Sequence, residues 1–384
     1  MKRKKGKRVR FQKIIMGLLI FFCVVLFAAL LHLFWLVYSG KDDRTEQNPM
    51  PSTSPASPTP AIISPTPEAV PAEGSEPTPE AMPTVDPAPT QRPMDGPPEY
   101  PFRTEDITIE IPGLKREYTL AWVSDLHMVS DLEPATDVQE EYMETIQVRY
   151  EFFKTEDGVY SKDLWPEIVR FLNYGNFDGV IFGGDMIDYC SKSNLEIFLE
   201  GYRCLNAGQI MYIRADHDYG YWYGGDVLKE ADTHDLHVEI DGNVFEEKLM
   251  DFEEFIIVGI NDSTQNMSYE QYDSLVDVLG RGKPVIIVTH VPYESKVDES
   301  LEQLSMDFRN KIYYWGGGDY VPYGATEQYF EIVYSDYTSI CQVLAGHLHK
   351  PWDGNLTERV KQHIFTPAFE GTIGMIHIIP EEQE

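Results

Sequence analysis

The sequence predicts an α/β domain with mixed β-sheets, carried behind one transmembrane helix and a disordered Pro-rich linker. Three observations carry this. Across residues 101–384, apolar runs of strand length alternate with helical patterns. Several of those runs end in His or Asp. Upstream of them lie a basic tail, one long apolar stretch and most of the prolines.

The tail, residues 1–13, carries eight Lys or Arg and no acid. Ile14 to Tyr38 follows, 25 residues with only His32 clearly polar. At ~1.5 Å per residue such a helix exceeds the ~30 Å hydrocarbon core. Trp35 and Tyr38 stand near its far end, as interfacial aromatics do. The positive-inside rule keeps residues 1–13 in the cytoplasm and sends the rest outward. A cleaved signal peptide is the rival reading, but the apolar core is long for one and no A-x-A site follows. The expected location is therefore the cell membrane, single-pass, with the domain of residues 101–384 extracellular. Residues 39–100 form the linker: 16 of the 26 prolines fall between Pro49 and Pro98. That composition cannot bury a core and stays extended.

Charge and cysteine usage narrow the class. The net charge is −32, and the tail contributes +8, so residues 14–384 hold −32 − 8 = −40. A domain this acidic is not built to bind nucleic acid or anionic lipid by general electrostatics. Cys190, Cys204 and Cys341 lie beyond the apolar segment; they permit one bridge, Cys190–Cys204 being the candidate, and exclude a disulfide-built fold.

Within 101–384 the element readings are as follows. Helical patterns cover Trp165 to Leu172, Asn194 to Leu205 and Tyr269 to Leu279. Short alternating runs between Leu236 and Ile260, around Asp241-Gly242, suggest hairpins. His363-Ile364-Phe365 and Ile373 to Ile379 are expected to close an edge. The run Gly179-Val180-Ile181-Phe182 reads as a buried strand, and Gly183-Gly184 then allow a sharp turn that leaves Asp185 at its carboxyl end. Ala121-Trp122-Val123 leads likewise to Asp125 and His127, and Met211-Tyr212-Ile213 to Asp216, His217 and Asp218. Val285 to Val288 leads to His290, and Val343-Leu344 to Gly346-His347-Leu348-His349. One such ending is an accident; five in one domain make a site.

Asp125, His127, Asp185, Asp216, His290, His347 and His349 are the side chains a pair of divalent ions needs: imidazole nitrogens and carboxylate oxygens, one carboxylate able to bridge. Mn, Fe and Zn all suit them. Such a pair makes hydroxide available near neutral pH and stabilises in-line displacement at phosphorus. His234, His237, His363 and His377 lack this context and are expected to be structural.

The order of these blocks, D-x-H, GD, a GNH-type block, a lone H and GHxH, resembles the calcineurin-like metallophosphoesterase family, here as a bacterial, membrane-anchored member. The likeness runs from Val123 to His349. It implies a sandwich of two mixed sheets flanked by helices, with the site at the strand ends. It implies that Asp125, His127 and His349 hold one metal, that Asp185 bridges, and that Asp216, His290 and His347 hold the other. It further implies metal-bound hydroxide as attacking group, His217 as general acid and Asp218 as its orienting partner. One block departs from the pattern: Ala215-Asp216-His217-Asp218 places a carboxylate where the family has an Asn amide, adding negative charge beside the second metal. After Asp185 there is no Arg of the Ser/Thr phosphatase kind, and Asp188 stands where purple acid phosphatases have a Tyr ligand.

Tyr219, Tyr221 and Trp222 follow the His217 block and are candidate substrate-binding residues, able to stack on a sugar or base. Tyr313 to Tyr320 is a second loop of aromatics and glycines. Val129 to Asp163, with Arg149 and Lys154, is expected to form a helical cap over the cleft. The expected function is an extracytoplasmic hydrolase of phosphomonoesters or phosphodiesters, the substrate a small molecule or a cell-envelope component. The alternatives are a metal-dependent amide hydrolase and an inactive surface binding protein with a structural metal site. Retention of both His217 and Asp218, neither expected to ligate metal, argues against the last.

Overall fold

A computed structural model of the chain describes residue 94 and residues 96–129, 143–220, 231–241, 248–262, 266–318 and 320–381. The expected basic tail and anchor, and nearly all of the linker, lie outside these residues, as do Tyr221 and Trp222. Among the described residues no helix is long and apolar enough to cross a membrane.

Two mixed sheets form the body. The first runs β1 (Arg103–Ile111), β11 (Thr372–Pro380), β2 (Tyr118–Val123), β3 (Gly179–Phe182) and β4 (Ile210–Tyr212) in spatial order. The second runs β5 (Lys248–Asp251), β6 (Ile256–Gly259), β7 (Val285–Val288), β8 (Ile340–Ala345), β10 (Lys361–Ile364) and β9 (Trp352–Asn355). The strands β2, β3 and β4 are parallel, as are β6, β7, β8 and β10. Their carboxyl ends therefore collect on one side of each sheet, which is why the sequence blocks converge.

Strands buried on both faces split their side chains between two cores by the period of two. Leu120, Trp122, Ile181, Ile257, Ile286, Leu344 and Phe365 fill one core drawn from both sheets, so the sheets pack face to face. Ala121, Val123, Val180 and Phe182 point the other way, onto α2 (Ser161–Tyr174) and α3 (Lys192–Tyr202) through Trp165, Ile168, Val169 and Phe198. Val285 and Ile287 likewise face α6 (Tyr269–Leu279) and α8 (Ala325–Val333) through Leu275, Tyr329 and Val333. Two of these helices start at sequence-legible caps. The Ser191 hydroxyl accepts from Asn194 N–H, and Ser268 and Gln271 exchange bonds in a capping box. Met94 and Tyr100, at the end of the expected linker, already pack against the first helix-covered core.

Several expectations are corrected. Asp241 ends a helix, α5 (Ala231–Asp241), and the hairpin of this region is β5–β6, turned at Phe252 to Phe255. The apolar alternation there was too short to separate the two periods. The final strands close no edge. β11 lies between β1 and β2, partners far away in sequence, and β10 lies between β8 and β9. Cys190 and Cys204 are free thiols, Cys190 buried with its sulfur 3.2 Å from His237 Nε2. Of the expected cap, α1 (Met143–Phe152) is described.

Trp122 stacks on Phe365, ring centroids 4.7 Å apart, between the two sheets. Trp122→Ala leaves a large void in that layer. The expected loss is about 3–5 kcal/mol, read as a lowered urea midpoint with an unchanged slope.

Candidate metal centre

Beyond their last paired residues, the loops after β2 and β3 remain hydrogen-bonded to each other. Asp125 N–H donates to Gly184 O, His127 N–H to Asp185 O and Met128 N–H to Met186 O, at 2.9, 2.9 and 3.0 Å. This holds three expected ligands on two adjacent turns. The turns are costly. Among the described residues six non-glycine residues have positive φ, and five are Asp125, His127, Asp185, His347 and His349. A left-handed conformation costs such residues roughly 1–3 kcal/mol each, and residues of this kind collect at functional sites. Gly184 is also left-handed, and a Cβ there would stand 2.7 Å from His290 Nδ1. A Cβ on Gly346 would meet the Asp125 carboxylate at 2.3 Å.

The side chains converge in two triads, Asp125–His127–His349 and Asp185–His290–His347, each buried. The Asp185 Oδ2 atom lies 3.5 Å from His127 Nε2 and 3.1 Å from His290 Nε2, between the triads. His127 Nε2 and His349 Nε2 approach to 2.9 Å, and His349 Nε2 is 3.3 Å from Asp125 Oδ1. Asp216, expected with His290 and His347, instead groups with Asp185 and His217, its side chain exposed in the cleft. A chain of donors sets Asp125: Trp122 Nε1–H donates to Ser124 Oγ, whose hydroxyl donates to the carboxylate at 2.7 Å.

Whether this set suits metal ions is answered by its unsatisfied atoms. Asp185 Oδ1, His290 Nε2 and His347 Nε2 are buried and make no hydrogen bond. Buried polar atoms are costly when unpaired, and these three face a cluster of oxygen and imidazole donors that divalent ions accept. The residues fit a dinuclear centre. The far nitrogens are already engaged: His127 Nδ1 with Asp188 Oδ1 at 3.0 Å, His290 Nδ1 with Gly183 O at 2.8 Å. Such outer partners fix the tautomer and aim Nε2 inward. Burial holds His127 largely neutral, its pKa lowered to about 4, the state in which imidazole ligates.

Asp188 is the residue that sequence reasoning undervalued. It is fully buried, receives a two-pronged bond from Arg149 of α1 and orients His127. Burial opposes its ionisation, but Arg149 and His127 hold its pKa at about 2. Its backbone carbonyl accepts from His217 Nδ1–H at 2.5 Å, which leaves His217 Nε2 for the cleft. Asp218, expected to orient His217, does other work. Its carboxylate accepts the N–H groups of Asp185, Met186, Ile187 and Ala215 at 2.8–3.1 Å. The four turn amides close around one carboxylate because nothing else there can accept from them, and that points it away from the imidazole. The only sequence signal for Asp188 was its position three residues after Asp185.

The centre opens into a cleft of about 460 Å³. Its floor is His127, Asp185, Asp216, His217, His347 and His349; its walls are Val148, Arg149, Phe152 and Phe153 on one side and Phe308, Arg309 and Tyr313 on the other. Tyr313 also stacks on His347, centroids 4.2 Å apart. Tyr219, the one described member of the expected substrate trio, does not line the cleft. Lys154 turns instead to Glu151 on the surface. His363 joins Glu105 and Asp353, and His377 joins Asp106, away from the centre.

A model of the family described as calcineurin-like phosphoesterase matches residues 118–351, more than half of the chain. No curated protein matches the chain. Among solved structures, a dimetal phosphatase from Danio rerio is 12% identical with a TM-score of 0.40, the match covering 66% of this chain and 88% of that one. A purple acid phosphatase from yellow lupin seeds is 11% identical with a TM-score of 0.39, the match covering 68% of this chain and 45% of the lupin chain.

Asp188→Asn keeps the shape but removes the charge that Arg149 and His127 share. Metal affinity is expected to fall ~10–100-fold, the usual cost of losing an outer partner, measured by calorimetric titration with Mn²⁺. Unchanged affinity would show that His127 is held by packing alone.

Proposed function

The chain belongs to the calcineurin-like phosphoesterase family and is a metal-dependent phosphoester hydrolase, and from that premise we propose that it hydrolyses phosphomonoesters or phosphodiesters at the outer surface of a bacterial membrane. The observation that carries the reading is the convergence of five left-handed Asp and His residues on one buried centre. Asp125, His127 and His349 would hold one divalent ion and Asp185, His290 and His347 the other. Asp185 would touch both, with Asp216 exposed beside it. Mn, Fe and Zn all suit this donor set. When bound, the ions supply Lewis acidity toward phosphoryl oxygens and lower the pKa of water.

The chain's own residues do the rest. His217, pinned through Nδ1–H to the Asp188 carbonyl, turns Nε2 into the cleft, where it protonates the departing oxygen. Asp218 keeps the Asp185 turn closed. Phe153 stacks on His127 at 4.3 Å and limits water on that side of the imidazole.

General acids typically contribute ~10²–10⁴-fold, so His217→Ala is expected to lose that much on an alkyl phosphoester. The loss on nitrophenyl phosphoesters should be far smaller, because nitrophenolate leaves without a proton, and metal content should hold. Equal losses on both substrates, or a missing metal, would make His217 a ligand.

For location, residues 14–38 are proposed to anchor the chain with the domain outside, a substrate in the envelope or medium, and no general nucleic-acid binding. The support is the basic tail, the 25-residue apolar run and the acidic remainder. Protease added to intact cells is expected to cut the Pro-rich linker and release an active domain. Protection until lysis would reverse the orientation.

A further inference from the structure

Resting on the hydrolase reading, we propose that the cleft selects phosphoryl compounds, esters or anhydrides, whose leaving half joins a flat aromatic ring to a second anionic group, the chemistry of a nucleotide, with a nucleoside diphosphate as its simplest case. The ring would lie between Phe152 and Phe308, and the anion would meet Arg309 and Lys350.

The first argument is apolar surface that the fold leaves uncovered. Val148 and Phe152, one turn apart on α1, are 63% and 61% exposed yet line a catalytic cleft. Side chains at i and i+4 share a helix face, so both present to the same ligand. Across the cleft, Phe308 at the end of α7 (Ser300–Arg309) meets His349 at 6.3 Å. Phe152 is linked to the same histidine through Phe369. Phenyl rings that line one cleft together with a floor histidine suit a planar body. At about 460 Å³ and floored by imidazole and carboxylate groups, the cleft does not suit a long hydrocarbon chain.

The second argument is charge. In a chain of net charge −32, cations gather at this rim. Arg309 lies 4.5 Å from the Phe308 ring and 5.1 Å from the Tyr313 ring, and Lys350 lies 5.8 Å from Phe308. Both are exposed, and neither forms a salt bridge with a carboxylate among the described residues. The only described carboxylates lining the cleft are Asp185 and Asp216, on its floor. Arg149 cannot serve as the second anion's partner, because Asp188 occupies it. Arginine and lysine beside aromatic rings bind a stacked base and its phosphate together.

In the reaction this implies, water's oxygen bonds to the terminal phosphorus of adenosine diphosphate and the bridging P–O bond breaks. Adenosine monophosphate leaves with that electron pair and one proton, and inorganic phosphate is the other product.

Two measurements on the full chain test this. The first is kcat/KM with Mn²⁺ for adenosine diphosphate, phenyl phosphate, glycerol phosphate and dodecyl phosphate. Adenosine diphosphate is expected to lead, and Arg309→Glu to cut its advantage over phenyl phosphate about tenfold, with Arg309→Lys restoring most of it. The second is calorimetric binding of adenosine monophosphate, which needs no turnover; Phe308→Ala is expected to weaken it about tenfold. Preference for dodecyl phosphate, equal losses on all four substrates in Arg309→Glu, or no monophosphate binding by an enzyme that hydrolyses small esters would each overturn the proposal. Monophosphate binding that responds to Arg309 and Phe308 in a protein that cleaves no ester would uphold the binding slot and overturn the hydrolase reading instead.

Discussion

The site depends on one arrangement of backbone hydrogen bonds, the zipper between the loops that follow β2 and β3. Parallel strands normally part company at their carboxyl ends. Here Asp125, His127 and Met128 continue to donate across the gap, and the far loop is closed in turn by the Asp218 carboxylate. Two rigid turns result, with Asp125, His127 and Asp185 in left-handed conformations that a free loop would abandon. The strain is sustained because surrounding packing and hydrogen bonds over-determine it.

The remaining ligands reach the centre from the second sheet. His290 follows β7, and His347 and His349 follow β8. His347 N–H donates to the Asp125 carboxylate, and His290 Nδ1 engages Gly183 O. Face-to-face packing of the sheets through Trp122, Ile286, Leu344 and Phe365 therefore does more than bury apolar area. It sets the distance between the two halves of the centre. The core and the catalytic geometry are one mechanical unit, and a change between the sheets is felt at the ligands.

Charge is unevenly distributed. The chain is acidic overall, whereas Arg149 and Arg309 line the cleft and Lys350 lies 5.8 Å from the Phe308 ring. Arg149 serves the buried Asp188, and Arg309 and Lys350 face solvent. Selectivity for one class of anion arises more readily from such a local contrast than from a uniformly basic surface.

The ligand types, their order and their strand-end positions were legible from residue sequence, because a buried strand is a short apolar run and a turn with a functional Asp or His breaks it visibly. Gly179 to Phe182 and Val285 to Val288 were read to the residue. What tertiary structure alone decided are relations without a local signature. Asp188 became a hub because α1, far from it in the chain, brings Arg149 to its carboxylate. Asp218 was drawn to four amides and away from His217, a choice made by the curvature of a neighbouring turn. The strand β11 took an interior place because its partners β1 and β2, far away in the chain, are selected by packing at long range. Among the described residues the cleft's aromatic walls come from α1 and the end of α7, since only the folded chain shows which rings line the same floor.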